Sequence, residues 1–219
     1  MWLRHILQGA AFFGAVAAGA PAWLPGTAEA AACTLNDVNL TIVYPPSVTY
    51  TPSSCANSIN GGASDAGTET SAFNTALLTN FVYLDKTDAA SGTGIGGGIV
   101  FTVTAPETSS GTFTVTWVDT NAILPPNLPL TMDLGVYLKG GNADDAGYVL
   151  KDVLISDGPY SGTGEFTVTF LNNGGQIPDL SHMTLLGAVT STPVPEPMTL
   201  ALCAIGIITC VCVRTLRTT

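Results

Sequence analysis

Gly111-Thr112-Phe113-Thr114-Val115-Thr116-Trp117-Val118-Asp119 decides the fold class. Phe113, Val115 and Trp117 alternate with Thr112, Thr114 and Thr116, the period of a strand with one buried face and one wet face. The pattern recurs at Phe166, Val168 and Phe170 against Thr167 and Thr169. Similar runs occupy Asn39 to Tyr44, Asn80 to Leu84, Gly98 to Thr104, Leu130 to Leu138, Tyr148 to Ile155 and Met183 to Thr190. Turn clusters separate them, among them Pro125-Pro126-Asn127, Gly140-Gly141-Asn142 and Asn172-Asn173-Gly174-Gly175. Threonine outside and aromatic or branched residues inside describe antiparallel strands. Eight of them in one domain predict an all-β protein, an antiparallel β-sandwich with a jelly-roll-like arrangement as one version. One short helix is expected near Thr70 to Thr79, where Phe73, Ala76 and Leu77 share a face.

The strands lie between two hydrophobic ends. Arg4 precedes an apolar stretch from Ile6 to about Trp23, and Ala28-Glu29-Ala30 has the small-x-small form that signal peptidase reads. Residues 1–30 are therefore expected to be a signal peptide cut after Ala30; the competing reading takes Ala30-Ala31-Ala32-Cys33 as a lipobox. At the other end Pro193-Val194-Pro195-Glu196-Pro197 precedes an apolar run from Met198 to Val213, followed by Arg214 and Arg217. At about 1.5 Å per residue that run makes a helix of roughly 24 Å, short of a hydrocarbon core of about 30 Å but able to span it if the bilayer thins. The two arginines beyond it place the C-terminus in the cytoplasm by the positive-inside rule. A plain C-terminal anchor on a proline-rich stalk would show the same pattern.

The Val-Pro-Glu-Pro box formed by Val194, Pro195, Glu196 and Pro197, the single span and the basic end resemble the PEP-CTERM sorting signal of Gram-negative bacteria that make extracellular polysaccharide. The resemblance implies processing of residues 193–219 by a membrane-embedded exosortase and delivery to the cell surface or matrix. Here the basic end holds two arginines separated by other residues in place of a tight cluster. Further segments are similar to secreted PEP-CTERM proteins without assigned activity: Gly111 to Asp119, Leu138-Lys139-Gly140-Gly141-Asn142, and Asn172 to His182. They imply a β-rich exported protein and no catalytic role.

Residues 31–192 form one domain's length. The chain carries a net charge of -10, and in this region the only basic side chains are Lys86, Lys139 and Lys151. Scattered acids without a basic patch argue against nucleic acid, because neutralising phosphates needs clustered Lys or Arg. Cys33 and Cys55 are its only cysteines and are expected to pair in an oxidising compartment.

Several motifs invite chemistry. Gly92-Thr93-Gly94-Ile95-Gly96-Gly97 spells the dinucleotide fingerprint, but the strand-like Ile99 to Val103 follows where a helix N-terminus is needed, so it reads as a hairpin loop. His182 is the only histidine between the ends and reads as a hydrogen-bonded turn residue before a strand. No nucleophile turn accompanies it, and one His with two distant Cys does not make a zinc site. Asp133, Asn142, Asp144, Asp145 and Asp152 are candidate calcium ligands, against a solvated acidic loop that blocks edge pairing. Tyr44, Tyr50, Tyr137, Tyr148 and Tyr160 could stack on sugar rings, or lie at the core boundary. The expectation is a non-enzymatic surface or extracellular-matrix protein without a required cofactor. Its partners would be signal peptidase, an exosortase, the membrane and extracellular polysaccharide; the alternative is a carbohydrate- or calcium-binding β-sandwich module.

Overall fold

The computed structural model describes residues 32–191, apart from 45, 60–64, 89–94, 96–97, 121–126, 142–144 and 159. The expected signal segment 1–30 with Ala28 and Ala30, the tail residues Val194, Pro195, Glu196, Pro197, Arg214 and Arg217, and the expected span 198–213 lie outside them. Among the described residues no helix is long and apolar enough to cross a membrane.

The described residues form ten strands and one helix in the order β1 (Leu40–Ile42), β2 (Val48–Tyr50), β3 (Pro52–Asn57), α1 (Ala66–Leu77), β4 (Val82–Lys86), β5 (Ile99–Thr104), β6 (Ser110–Asp119), β7 (Leu130–Gly140), β8 (Asp145–Ile155), β9 (Ser161–Thr167) and β10 (Leu180–Ser191). They form two five-stranded antiparallel sheets, β2-β1-β9-β6-β5 and β3-β8-β7-β10-β4. All eight expected strand segments overlap a strand. β2 and β3 were not expected, because three residues and a Pro-Ser-rich run carry no period-two signal.

The inner faces meet in one core. Phe113, Val115, Trp117, Phe101 and Phe166 of the first sheet pack against Leu134, Val136, Tyr148, Leu150 and Leu185 of the second. Removing a Phe or Trp side chain from water contributes most per residue here, since each buries roughly 150–250 Å². Trp117 also donates its indole N–H to the Ser156 carbonyl at 3.0 Å, which satisfies its one polar atom. The Cys33–Cys55 disulfide joins the segment before β1 to β3 across 22 residues. A crosslink over a loop of that size contributes about 3 kcal/mol by restricting the unfolded chain.

The second sheet is covered on its inner face and on part of its outer face. Its outer face carries α1, which starts at Ala66 rather than Thr70 and turns Glu69 and Phe73, not Ala76, toward the sheet. Asp65 caps the helix by accepting from the Thr68 amide at 2.9 Å. Phe73 packs with Phe81, Tyr137, Val149 and Leu186. It can descend this far because Gly135 and Gly147 lie beneath it: a Cβ at either would come within 2.8 Å or 2.7 Å of its ring.

Candidate functional site

One group of titratable side chains, Glu69, Lys86, Asp88 and His182, gathers beneath α1. Glu69, one turn before Phe73 on the same helix face, is fully buried and accepts hydrogen bonds from His182 Nε2 at 2.7 Å and Thr184 Oγ1 at 2.8 Å. Lys86 Nζ lies 3.5 Å from Glu69 Oε1 and 3.5 Å from Asp88 Oδ1, and His182 Nδ1 lies 3.8 Å from Asp88 Oδ2. His182 is therefore not a turn residue. It sits inside β10 opposite Lys139, just after a bulge at Ser181, and its ring is buried. Only Asp88 of this group reaches solvent, at 50% exposure. A carboxylate closed over by a helix and bonded to three donors is suited to anchoring that helix.

The next residues along the same face make a second buried group. Tyr137 donates its hydroxyl to Asp145 Oδ2 at 2.6 Å, the Ile59 amide donates to Asp145 Oδ1, and Lys139 Nζ is 3.7 Å from the same carboxylate. Asp145 is thus occupied by protein groups. Asp133 is held elsewhere on β7 by Lys151 and the Asp152 amide, bonded at 2.5 Å and 3.0 Å. From Asp133 to Lys139, which pairs with Asp145, the strand runs about 20 Å. The structure brings Asp133 and Asp152 together and keeps Asp145 apart, while Asn142 and Asp144 lie outside the described residues. Among the described residues no three His, Cys, Asp or Glu side chains form a metal-holding group.

The outer face of the first sheet differs in kind. Its strand register aligns Thr49, Thr41, Thr163, Thr114 and Thr104 in one unbroken rank across all five strands. A second rank follows with Ser161, Thr116 and Thr102, and on the other side Thr112 pairs with Glu165. The Thr41 and Thr49 hydroxyls bond each other at 2.8 Å. Asn39 fixes Glu165 by donating Nδ2 to its carboxylate at 3.2 Å and accepting from its amide at 3.1 Å. A groove of about 450 Å³ runs over this surface, lined by Asn39, Thr41, Thr49, Thr112, Thr163 and Glu165. Lys86, Lys139 and Lys151 all stand on the other sheet, so Glu165 is the one charge among the described residues of these ranks.

The tyrosines divide accordingly. Tyr137 and Tyr148 are fully buried, which removes them as stacking platforms. Tyr50 is half-buried and its hydroxyl accepts from the Leu154 amide. Tyr44 and Tyr160 remain exposed, each at 47%, just beyond the last paired residues of the neighbouring strands β1 and β9. Strand alternation would turn Tyr160 inward beside Gly162; a backbone φ of 58° puts it outside, with its hydroxyl donated to Asp157 at 2.7 Å. A bulky residue at positive φ is strained by about 1–3 kcal/mol, a conformation the surroundings must enforce.

Tyr148 supplies a pH test of the core. Burial, then the Asp37 carboxylate to which it donates at 3.0 Å, push its phenol well above the ordinary 10.0. Above about pH 10 the unfolded chain loses this proton while the folded chain keeps it. Stability should therefore be flat below that point and fall above it by about 1.4 kcal/mol per pH unit from this group. In urea unfolding from about pH 9 to 11, Tyr148→Phe should show a shallower decline than the wild type; equal declines would refute the assignment.

The glycine run 92–97 lies almost wholly outside the described residues, but Ile95 pairs back with Ile99 and β5 follows at once. Among the described residues no helix N-terminus follows it to receive a pyrophosphate. No protein-family model, no curated protein and no solved structure matches this chain.

Proposed function

We propose that this chain is an exported, non-enzymatic surface or matrix protein. In this reading it enters the membrane through residues 1–30, is held by the span 198–213, and is processed by an exosortase at Pro195-Glu196-Pro197. The observation that carries the reading is the sequence order of the tail: a helix-breaking box with one acid, an apolar run able to span a thinned bilayer, then Arg214 and Arg217. The Cys33–Cys55 bond supports it, because disulfides persist in oxidising compartments and are rare in the cytosol. The buried Glu69 and His182 serve in this reading to hold α1 on its sheet.

The test is to replace Pro195, Glu196 and Pro197 by alanine in a Gram-negative host that contains an exosortase. The wild-type chain is expected to appear as a shortened product at the surface or in the matrix. The triple variant should stay at its longer size in the inner membrane. If size and location are the same for both, the sorting assignment fails.

A further inference from the structure

We infer that the threonine face of the first sheet, with Tyr160 and Tyr44 at its end, is a binding surface for uncharged polysaccharide chains. The inference does not depend on how the tail is processed.

Sugar recognition needs two kinds of contact: hydroxyls that both donate and accept, and flat apolar surface against the ring face. The ranks supply the first. Each threonine hydroxyl has one donor and two acceptor positions, so it can meet a sugar hydroxyl in either role. Along the rank one hydroxyl recurs per strand, at about 4.8 Å, and the five strands extend about 19 Å. That is the length of several sugar rings in line. The threonine methyls leave apolar surface between the hydroxyls, continued by exposed Val43 and Val118 toward the tyrosine end.

The two tyrosines supply the second contact. Tyr160 is the more telling, because strain at its backbone holds a large ring in water where strand alternation would have buried it. Asp157 fixes its hydroxyl, so the ring is already ordered and loses little freedom on binding.

Charge sets the class of polymer. Glu165 is held in the groove by Asn39, and every described lysine stands on the opposite sheet. A uronate or phosphate polymer would meet a carboxylate and no cation, whereas a neutral polymer faces no such repulsion. The sheet twist, about 20–25° from strand to strand, turns the rank along its length. A pliable single chain can follow that turn and a flat crystalline surface cannot.

The experiment is depletion of the purified full-length chain, in mild detergent, by amorphous cellulose, crystalline cellulose, soluble galactomannan or polygalacturonate. Retention is expected on at least one of the two non-crystalline neutral polymers and on neither of the others. Tyr160→Ala should weaken it by about tenfold, and so should the double change Thr114→Val with Thr163→Val, which keeps side-chain shape and strand preference while removing two hydroxyls. Circular dichroism of each variant should match the wild type. Retention unchanged in both variants, preference for polygalacturonate or crystalline cellulose, or no retention of the wild type on either neutral polymer would overturn the inference. So would sedimentation showing a dimer that the threonine variants dissolve, since that would assign the face to a second copy of the chain.

Discussion

Glu69→Ala is expected to destabilise the protein by about 3–5 kcal/mol, the range found when one member of a buried charge pair is removed. Glu69 is the shared acceptor for His182, Thr184 and Lys86, all buried, and it is the polar link between α1 and strands β4 and β10. Alanine takes that acceptor away and leaves a space under the first turn of the helix. Urea unfolding followed by far-ultraviolet circular dichroism measures the loss as a lowered midpoint. The pair Glu69→Leu with Lys86→Met should be less damaging than Glu69→Leu alone, because apolar replacement of both partners removes the desolvated charge as well as its counter-charge. A loss below about 1 kcal/mol for Glu69→Ala would mean that the cluster does not hold the helix.

Gly164→Ala is expected to cost at least about 3 kcal/mol, at the upper end of overpacking effects. Gly164 pairs with Phe113 across β9 and β6, and a Cβ there would fall on the Asn39 carbonyl oxygen and the Phe113 ring. One of those is backbone and the other is a fully buried ring in the core, so neither can yield cheaply. Gly141→Ala makes the control: nothing lies within 4 Å of the added carbon, and the change should stay within about 0.5 kcal/mol. Thermal unfolding of the two variants should separate them clearly. Equal melting temperatures would show that β9 can shift away from β1 and β6. The result also bears on the threonine face, since Thr163 and Glu165 flank Gly164 and depend on the same strand position.

Much of the sandwich was legible because its signal is local. In β6, threonine and apolar residues alternate without interruption, and that alternation states which side chains face inward. β3 was hidden because its pairing is decided by a partner distant in the chain: Cys55 lies opposite Tyr148, and Pro52 opposite Leu150; β2 pairs with the adjacent β1 and was hidden because three residues are too short to show a period. The buried polar groups were hidden for a related reason. Asp133 and Lys139 fall on the outer side of β7, where the alternation predicts solvent, yet both are nearly buried. Nothing within β7 announces that a helix more than fifty residues earlier covers part of that face. Glu69 and Phe73 stand four residues apart on one helix face, and that spacing was the available hint that Glu69 turns inward.

The amino-acid order alone determined the period-two strands, the acid excess with few bases, the pairing of the only two cysteines between the ends, and the apolar, arginine-ended tail. Each is a property of neighbouring residues or of composition. Tertiary structure alone decided that His182 is bonded to Glu69 across 113 residues, that Tyr148 meets Asp37 inside the core, and that five threonines from five strands stand in one rank. The physical reason is that strand register and helix seating are set by long-range packing. Side-chain alternation says which face a residue takes, and only the assembled sheets say what lies opposite it.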